Sequence, residues 1–168
     1  MKIAYIAETS LTNRSAYTQH VIKMCDAFSQ LDHSVTLFLP DVKKDIKFTL
    51  IKKRFILNSK KKLHLLSILN RKTSNFIFRL MFAFKSSLKL KKEKYNIILT
   101  RSFITSLFLS LFRIYHFLEI HSEFKSLTKF FMINLDFINS KYIIKSILIS
   151  KALNKIFKLV KCCAGWTK

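Results

Sequence analysis

The sequence predicts an α/β protein, a Rossmann-like sandwich with a central, mainly parallel sheet of about six strands. Short, nearly continuous apolar runs, typical of strands buried on both faces, alternate with segments whose apolar residues recur every three or four positions. The first strand, helix and strand fit within about 40 residues, the length of a β-α-β unit. Half of the 168 residues are hydrophobic, which is enough for one domain with a substantial core.

The first β-α-β unit is the clearest part of the pattern. Residues 2–7 predict a buried strand. From Tyr17 onward one apolar stripe predicts an amphipathic helix of about four turns, with Asn13 or Ser15 as its N-cap. Residues 34–39 predict the second strand, which the Pro and Asp that follow it should end.

Residues 41–94 differ from the rest of the chain because they hold 17 Lys and Arg against three acidic residues. Here we predict a short third strand over 46–51, a polar link over 58–62 and then helical residues. Within 70–92, helical spacing predicts a basic amphipathic helix. Its apolar positions are Phe76, Ile77, Leu80, Met81, Phe84 and Leu88.

The remaining residues continue the alternation. We predict strands over 95–100, 114–120 and 142–149, helices over 103–112, 127–141 and 150–160, and a loop over 122–126. Ligands of parallel sheets bind at the carboxyl ends of strands. The predicted rim therefore consists of residues 8–14, 100–102 and 121–123.

The formal charge of +22 favours phosphate, anionic lipid or nucleic acid as partners. Codon bias in an AT-rich genome is the alternative source of this lysine excess. No recognisable nucleic-acid-binding motif is present, so we expect no specific nucleic acid partner. The phosphate-binding P-loop, the G-x-G-x-x-G turn, the G-x-S-x-G elbow and clustered metal ligands are also missing from the sequence, and we expect neither a cofactor nor a metal.

Cysteine usage and hydropathy indicate the compartment. The apolar stretch 97–118 is interrupted by Arg101, Arg113 and His116, so we predict no transmembrane helix, and the start of the chain has no signal peptide pattern. The number and spacing of the cysteines favour a reducing, cytoplasmic location. They are Cys25, Cys162 and Cys163.

Five passages, in this order, resemble the N-terminal domain of family 4 glycosyltransferases, which have the GT-B fold. They are MKIAYIAE at the start, SAYTQHVIKMCDAFSQLDHSVTLFLP, YNIILTRSFITSLF, FLEIHSEF and ILISKALNKIF. The resemblance covers most of the chain. The first loop departs from the family, because it lacks the paired glycines often found there.

The resemblance implies a sugar transferase of the hexosyltransferase type, acting on an envelope glycan or glycolipid acceptor. A nucleotide-sugar would be its substrate rather than a cofactor. Residues 1–160 would form the acceptor-side lobe, and residues 161–168 an atypical tail left by truncation or a frameshift. The family's donor-binding C-terminal lobe is not in this sequence, so we expect the 168-residue chain to be inactive alone.

The candidate site residues lie on the predicted rim. His121 directly follows a strand and matches the family's cleft histidine, so it is the predicted catalytic residue, with a structural role as the alternative. Arg101 would hold an acceptor phosphate or carboxylate, with a surface arginine at a helix start as the alternative. We predict that Glu119 supports His121 or the sheet. The predicted substrate-binding residues are Arg101, Thr100, Ser102, Arg14, Ser15 and Glu123.

Two alternatives stay open at this stage. The basic helix over 70–92 would either lie on an anionic membrane surface, at the inner face of the membrane, or face the core with a lysine-rich solvent side. The whole chain would alternatively be a basic, non-catalytic α/β protein that binds nucleic acid or membrane surfaces through its charge.

Overall fold

A computed structural model describes residues 1–12, 15–42, 48–58, 63–69, 75–120 and 140–148. They contain one six-stranded sheet in which every pairing is parallel. The strand order is β3-β2-β1-β4-β5-β6, and this architecture confirms the predicted fold class. The strands are β1 Lys2–Ile6, β2 Ser34–Leu39, β3 His64–Ser67, β4 Ile97–Thr100, β5 His116–Ile120 and β6 Ile143–Leu148.

Helices cover both faces of the sheet. The described residues contain α1 Ala16–Gln30, α2 Phe48–Phe55, α3 Phe76–Lys92 and α4 Phe103–Leu111. In β1, Ile3 and Tyr5 pack into the apolar cluster that contains residues of α1 and α2. Ala4 and Ile6 belong to the cluster on the other face, with residues of α3 and α4. This alternation buries β1 on both sides and makes it the centre of the core.

The start of α1 shows how local chemistry sets an element. Ser15 is the N-cap, and its Oγ accepts a hydrogen bond from the Thr18 N–H at 3.2 Å. Farther along α1, the buried Asp26 accepts hydrogen bonds from the Gln30 side chain at 2.7 Å and from the Asn58 N–H at 3.1 Å. Asp26 therefore ties the chain beyond α2 to α1.

The third strand and the element before it differ from the prediction. The strand predicted over 46–51 is wrong, because Phe48–Phe55 form α2. Ile51 and Phe55, one helical turn apart, are buried in the core, which selects the helix. The sheet instead takes its third strand from His64–Ser67, within residues predicted to be helical. Leu65 packs against the α1 and α2 side and Leu66 against the other side, as a strand requires.

The other described elements agree with the predictions to within a few residues, with α3 beginning at Phe76. Residues 70–74 of the helix predicted over 70–92, and residues 59–62 of the predicted polar link, lie outside the described residues. The predicted loop over 122–126, most of the helix over 127–141, the helix over 150–160 and the tail over 161–168 lie outside the described residues. Ser140 and Lys141, at the end of that predicted helix, precede β6 and are not helical. Within the part of the chain that the structure describes, no helix is long and apolar enough to cross a membrane.

Three helices end in a left-handed residue that is not glycine. Asp32, Ile56 and Arg113 have φ of 63°, 53° and 60° and follow the ends of α1, α2 and α4. The next N–H in each case bonds a carbonyl five residues back, as in the Schellman motif, at 3.2, 3.0 and 2.8 Å. Glycine usually occupies this position, and the sequence has only one glycine.

Candidate functional site

The strand order creates a switch point between β1 and β4. From β1 the chain passes through α1 to β2 on one side of the sheet, and from β3 it passes through α3 to β4 on the other. Connections that leave in opposite directions open a crevice at the carboxyl ends of these two strands, where Rossmann-type proteins bind ligands. Glu8, shortly after β1, and Ser102, shortly after β4, lie at this switch point.

Glu8 is the centre of the crevice. One carboxylate oxygen accepts a hydrogen bond from the Ser102 hydroxyl, just after β4. The other accepts from the Arg79 Nε of α3 at 2.5 Å. Glu8 is nearly buried, whereas the Arg79 side chain is half-exposed. One carboxylate thus joins the ends of β1 and β4 to α3, and the guanidinium beside it stays accessible to a ligand.

The polar residues around Glu8 are held by the backbone of the strand and helix ends. The Ser102 Oγ also accepts from the Thr105 N–H at 3.2 Å, which makes Ser102 the N-cap of α4. Thr100 Oγ1 accepts from the Ser102 N–H at 3.1 Å. On the β1 side, the Thr9 and Thr18 hydroxyls lie 2.5 Å apart, and Thr18 contacts the Ser15 cap. Several fixed hydroxyl groups therefore lie next to a carboxylate and a guanidinium; Thr9 is half-buried, and Thr18, Thr100 and Ser102 are buried.

A second polar cluster lies at the same end of the sheet, around a buried carboxylate. Glu119 of β5 accepts a hydrogen bond from the Tyr5 hydroxyl with one oxygen. Its other oxygen lies 3.0 Å from the His20 Nε2 and 3.4 Å from the Arg101 Nε. The Arg101 and Glu119 side chains are only 4% and 6% exposed. Glu119 is therefore a buried carboxylate whose partners come from β1, α1 and the end of β4.

Arg101 is buried rather than a surface arginine at a helix start. Its guanidinium carbon lies 4.4 Å from the centre of the Tyr17 ring, a cation–π contact. The Arg101 Nε and Nη1 have no hydrogen-bond partner among the described residues, because the contact with Glu119 is an ion pair without a hydrogen-bonding angle. Arg101 therefore has buried donors that no described residue uses in a hydrogen bond.

Tyr5 of this cluster and Tyr17 beside it stay protonated. Burial is the main cause that raises the pKa of Tyr5, and the Glu119 charge raises that pKa further. Burial also raises the pKa of Tyr17 to about 12, although the Arg101 charge partly offsets the effect. Each phenol is therefore a hydrogen-bond donor and not a base near neutral pH.

The predicted site residues that the structure describes lie in two places. Thr100, Ser102 and Ser15 lie at the strand and helix ends around the crevice, and Arg101 lies in the buried cluster. His121, Arg14 and Glu123 lie outside the described residues, so their roles stay predictions.

Several residues that contribute to these clusters were not among the predicted site residues, and the charged or titratable side chains that bind Glu8 and Glu119 include Arg79 and His20. Glu8 carried a signal, because it directly follows the first predicted strand. Arg79 appeared in the sequence only as one basic residue of an amphipathic helix. His20 carried no signal beyond its helical position.

The described residues contain no group of three or more His, Cys, Asp or Glu side chains that could hold a metal ion. The fold and the crevice define a Rossmann-like α/β protein with a polar switch-point site. No family model matches the chain, and no curated protein matches it.

Proposed function

We propose that this chain is the acceptor-side lobe of a glycosyltransferase that uses a nucleotide-sugar. The observation that carries the proposal is the convergence of Glu8, Ser102 and Arg79 on the switch point. The resemblance to family 4 glycosyltransferases supports it independently, because the matching passages include β1, β4 and β5.

The chemistry of the crevice suits a sugar acceptor. The half-buried Thr9 hydroxyl can exchange a hydrogen bond with a hydroxyl group of a sugar, and the buried Ser102 holds the Glu8 carboxylate in place beside it. Arg79 uses its Nε on Glu8, and its half-exposed guanidinium can pair with a phosphate or carboxylate on the acceptor. The crevice therefore favours an acceptor that has both hydroxyl groups and a negative charge.

Catalysis on this proposal needs groups beyond the crevice described here. His121 directly follows β5 in the sequence and is the proposed catalytic residue, by resemblance. The donor nucleotide-sugar would bind mainly to a second lobe. We therefore expect the purified 168-residue chain to bind acceptor-like sugars and to transfer no sugar by itself.

Amide NMR of the full chain tests this proposal with three probes: glucose 1-phosphate, methyl glucoside and uridine diphosphate glucose. We expect glucose 1-phosphate to shift the amide signals of Glu8, Arg79 and Ser102, and methyl glucoside to do so more weakly. The Arg79→Gln variant should lose the advantage of the phosphorylated sugar. Arg113→Gln, an exposed arginine at the opposite edge of the sheet, is the matched control and should behave as the native chain.

Two results would contradict the proposal. One is that neither glucose 1-phosphate nor methyl glucoside shifts the crevice signals, or that their shifts lie elsewhere on the chain. The other is that the purified chain transfers glucose from the nucleotide-sugar to an acceptor, which would show that it is not one lobe of a two-lobe enzyme.

A further inference from the structure

The amino edge of the sheet, where its strands begin, carries a pair of tyrosines whose rings are in contact. Tyr115 directly precedes β5, and Tyr142 directly precedes β6. The His116 N–H donates to the Tyr142 carbonyl at 2.9 Å, which holds the two strand starts side by side. The ring centres lie 5.5 Å apart, with the ring planes tilted by 56°. Tyr115 is 59% exposed, so much of its ring is accessible to a planar ligand.

Exposed cations lie along the same edge, at or shortly before the strand starts. They are Lys2 in β1, Lys94 before β4, Arg113 before β5 and Lys141 before β6. The Lys141 Nζ lies 5.3 Å from the centre of the Tyr142 ring, and the Lys2 Nζ lies 4.5 Å from the centre of the Tyr95 ring. Positive charges and aromatic rings therefore alternate along this edge.

The acidic groups near this edge do not cancel its charge. Glu93 pairs with Lys89 at 3.4 Å and accepts a hydrogen bond from the Tyr95 hydroxyl at 2.7 Å. Asp32 lies before β2, on the far side of β1 from the tyrosine pair. From β1 to β6 the edge crosses three strand spacings, about 15 Å in all. The surface between Lys2 and Lys141 is therefore a positive strip of about that length.

We propose that this amino edge binds single-stranded nucleic acid without sequence specificity. Unpaired bases stack on exposed aromatic rings, and the phosphates between them pair with cations. A duplex would leave Tyr115 without a partner, because its bases already stack on one another. An anionic bilayer would satisfy the cations but would place hydrocarbon over the exposed Asn96, whose Oδ1 accepts from the Lys2 N–H at 2.7 Å.

This surface is separate from the crevice. The crevice lies at the carboxyl ends of β1 and β4, whereas the tyrosine pair lies at the amino ends of β5 and β6. A strand bound at the amino edge would leave Glu8 and Ser102 accessible to their own ligand. The inference therefore does not rest on the proposed function.

Fluorescence anisotropy of the full chain with labelled 12-nucleotide probes tests the proposal. The probes are oligothymidine, oligouridine, an abasic strand with the same phosphates, and a 12-base-pair duplex. We expect oligothymidine and oligouridine to bind alike, because stacking and phosphate pairing use groups that DNA and RNA share. A chain with a charge of +22 attracts any polyanion, so the variants decide the outcome.

Substitutions of Tyr115 keep every charge and isolate stacking. Tyr115→Ala should weaken binding of both single strands about tenfold and leave binding of the abasic strand and the duplex unchanged. Tyr115→Phe keeps the ring and should bind as the native chain. Tyr115→Leu keeps apolar contact with Tyr142 without a planar ring and should bind as weakly as Tyr115→Ala. Phe76→Ala removes a ring that is also 59% exposed, at the opposite edge of the sheet, and should bind as the native chain.

The salt dependence isolates the phosphate contacts. Lys141→Gln should reduce the slope of log affinity against log salt concentration by about 0.7, the value for one phosphate contact on a single strand. Lys23→Gln removes the same charge from α1, away from this edge, and should leave the slope unchanged. In amide NMR, oligothymidine should shift the signals of Tyr115 and Tyr142 and leave those of Glu8 and Ser102 in place.

Three outcomes would overturn the proposal. One is equal affinity of Tyr115→Ala and the native chain for oligothymidine. Another is an equal loss on the abasic strand, which would show that the substitution disturbs the charges and not stacking. The third is displacement of oligothymidine by phosphatidylglycerol vesicles whose binding itself requires Tyr115, which would assign this surface to a membrane.

Discussion

Glu119 is the residue on which the buried charges of this protein depend. It is the ion-pair partner of Arg101 and also contacts Tyr5 and His20. Two buried charges gain little net stability from each other, because both lose their hydration, but one of them left alone is strongly destabilising. The pair is therefore best tested by comparing removal of one partner with removal of both.

We predict that Glu119→Leu lowers the free energy of unfolding by about 3–5 kcal/mol, because Arg101 is left buried without a counter-charge. Adding Arg101→Met should recover most of that loss. Urea denaturation of the two variants measures both effects. Glu93→Gln, which breaks the more exposed ion pair between Glu93 and Lys89, is the control and should cost less than about 1 kcal/mol. A double variant as unstable as Glu119→Leu would contradict this account.

His116 is a buried histidine at the other end of β5 from Glu119, and its environment favours the neutral ring over the charged one. Its Nδ1 donates to the Ile114 carbonyl at 2.9 Å, and its Nε2 accepts from the Ser106 hydroxyl at 2.6 Å. Burial lowers the pKa of His116 below its ordinary value of 6.5, in spite of the carbonyl contact. The ring is therefore neutral in the folded protein near neutral pH.

This lowered pKa predicts a loss of stability in acid. The unfolded chain takes up a proton on His116 at a higher pH than the folded chain does, so stability falls as pH drops below about 6.5 toward the folded-state pKa. We predict that His116→Gln reduces this pH dependence, and that the exposed His64→Gln leaves it unchanged. Urea midpoints across this pH range measure it. Equal slopes for His116→Gln and the native chain would show that the prediction is wrong.

At the scale of elements, three helices end in a backbone conformation that favours glycine, although the chain has other residues at these positions. The residues after α1, α2 and α4 adopt the left-handed conformation that glycine takes without cost. Aspartate tolerates this conformation better than most residues do, whereas a β-branched residue such as isoleucine does not. Ile56 is therefore the most strained of the three, and because it is 78% exposed it has little packing to lose.

We predict that Ile56→Gly raises the free energy of unfolding by about 1 kcal/mol, since relief of the left-handed strain exceeds the added entropy of the unfolded chain. Asp32→Gly should change it by less. Thermal and urea unfolding of both variants give the comparison. Ile56→Ala, which keeps a Cβ, is the control and should give a smaller gain; a gain equal to that of glycine would show that the benefit has another cause.

Most of the elements were predictable because their apolar periods are long or unbroken. The stripe along α1 and the runs in β1, β2 and β5 each have one reading. The sequence around α2 has two competing patterns. Ile46, Phe48 and Leu50 alternate as in a strand, whereas Ile51 and Phe55 share a helical face. Packing against the core determines whether such a short segment is a helix or a strand, and the local sequence pattern does not specify that packing.

At the scale of the whole molecule, the site could be predicted only in part, because it depends on strand order. The sequence placed Glu8 and Ser102 at strand ends, but only the order β2-β1-β4 makes them neighbours across 94 positions of the chain. The contact between Arg79 and Glu8 depends in addition on how α3 packs across the sheet. Neither the strand order nor the packing of α3 can be predicted from the spacing of apolar residues in the sequence.

The same strand order delays the pairing of β1 with β4 during protein synthesis. β1 pairs with β2 on one side, and on the other its Ile3 aligns with Ile97 of β4. A ribosome needs roughly 5 to 20 s to make the residues between those two strands. For that time β1, a strand buried on both faces in the folded protein, has one open edge, and an open apolar edge pairs readily with other chains. The yield of folded protein therefore depends on how nascent chains are kept apart until β4 emerges from the ribosome.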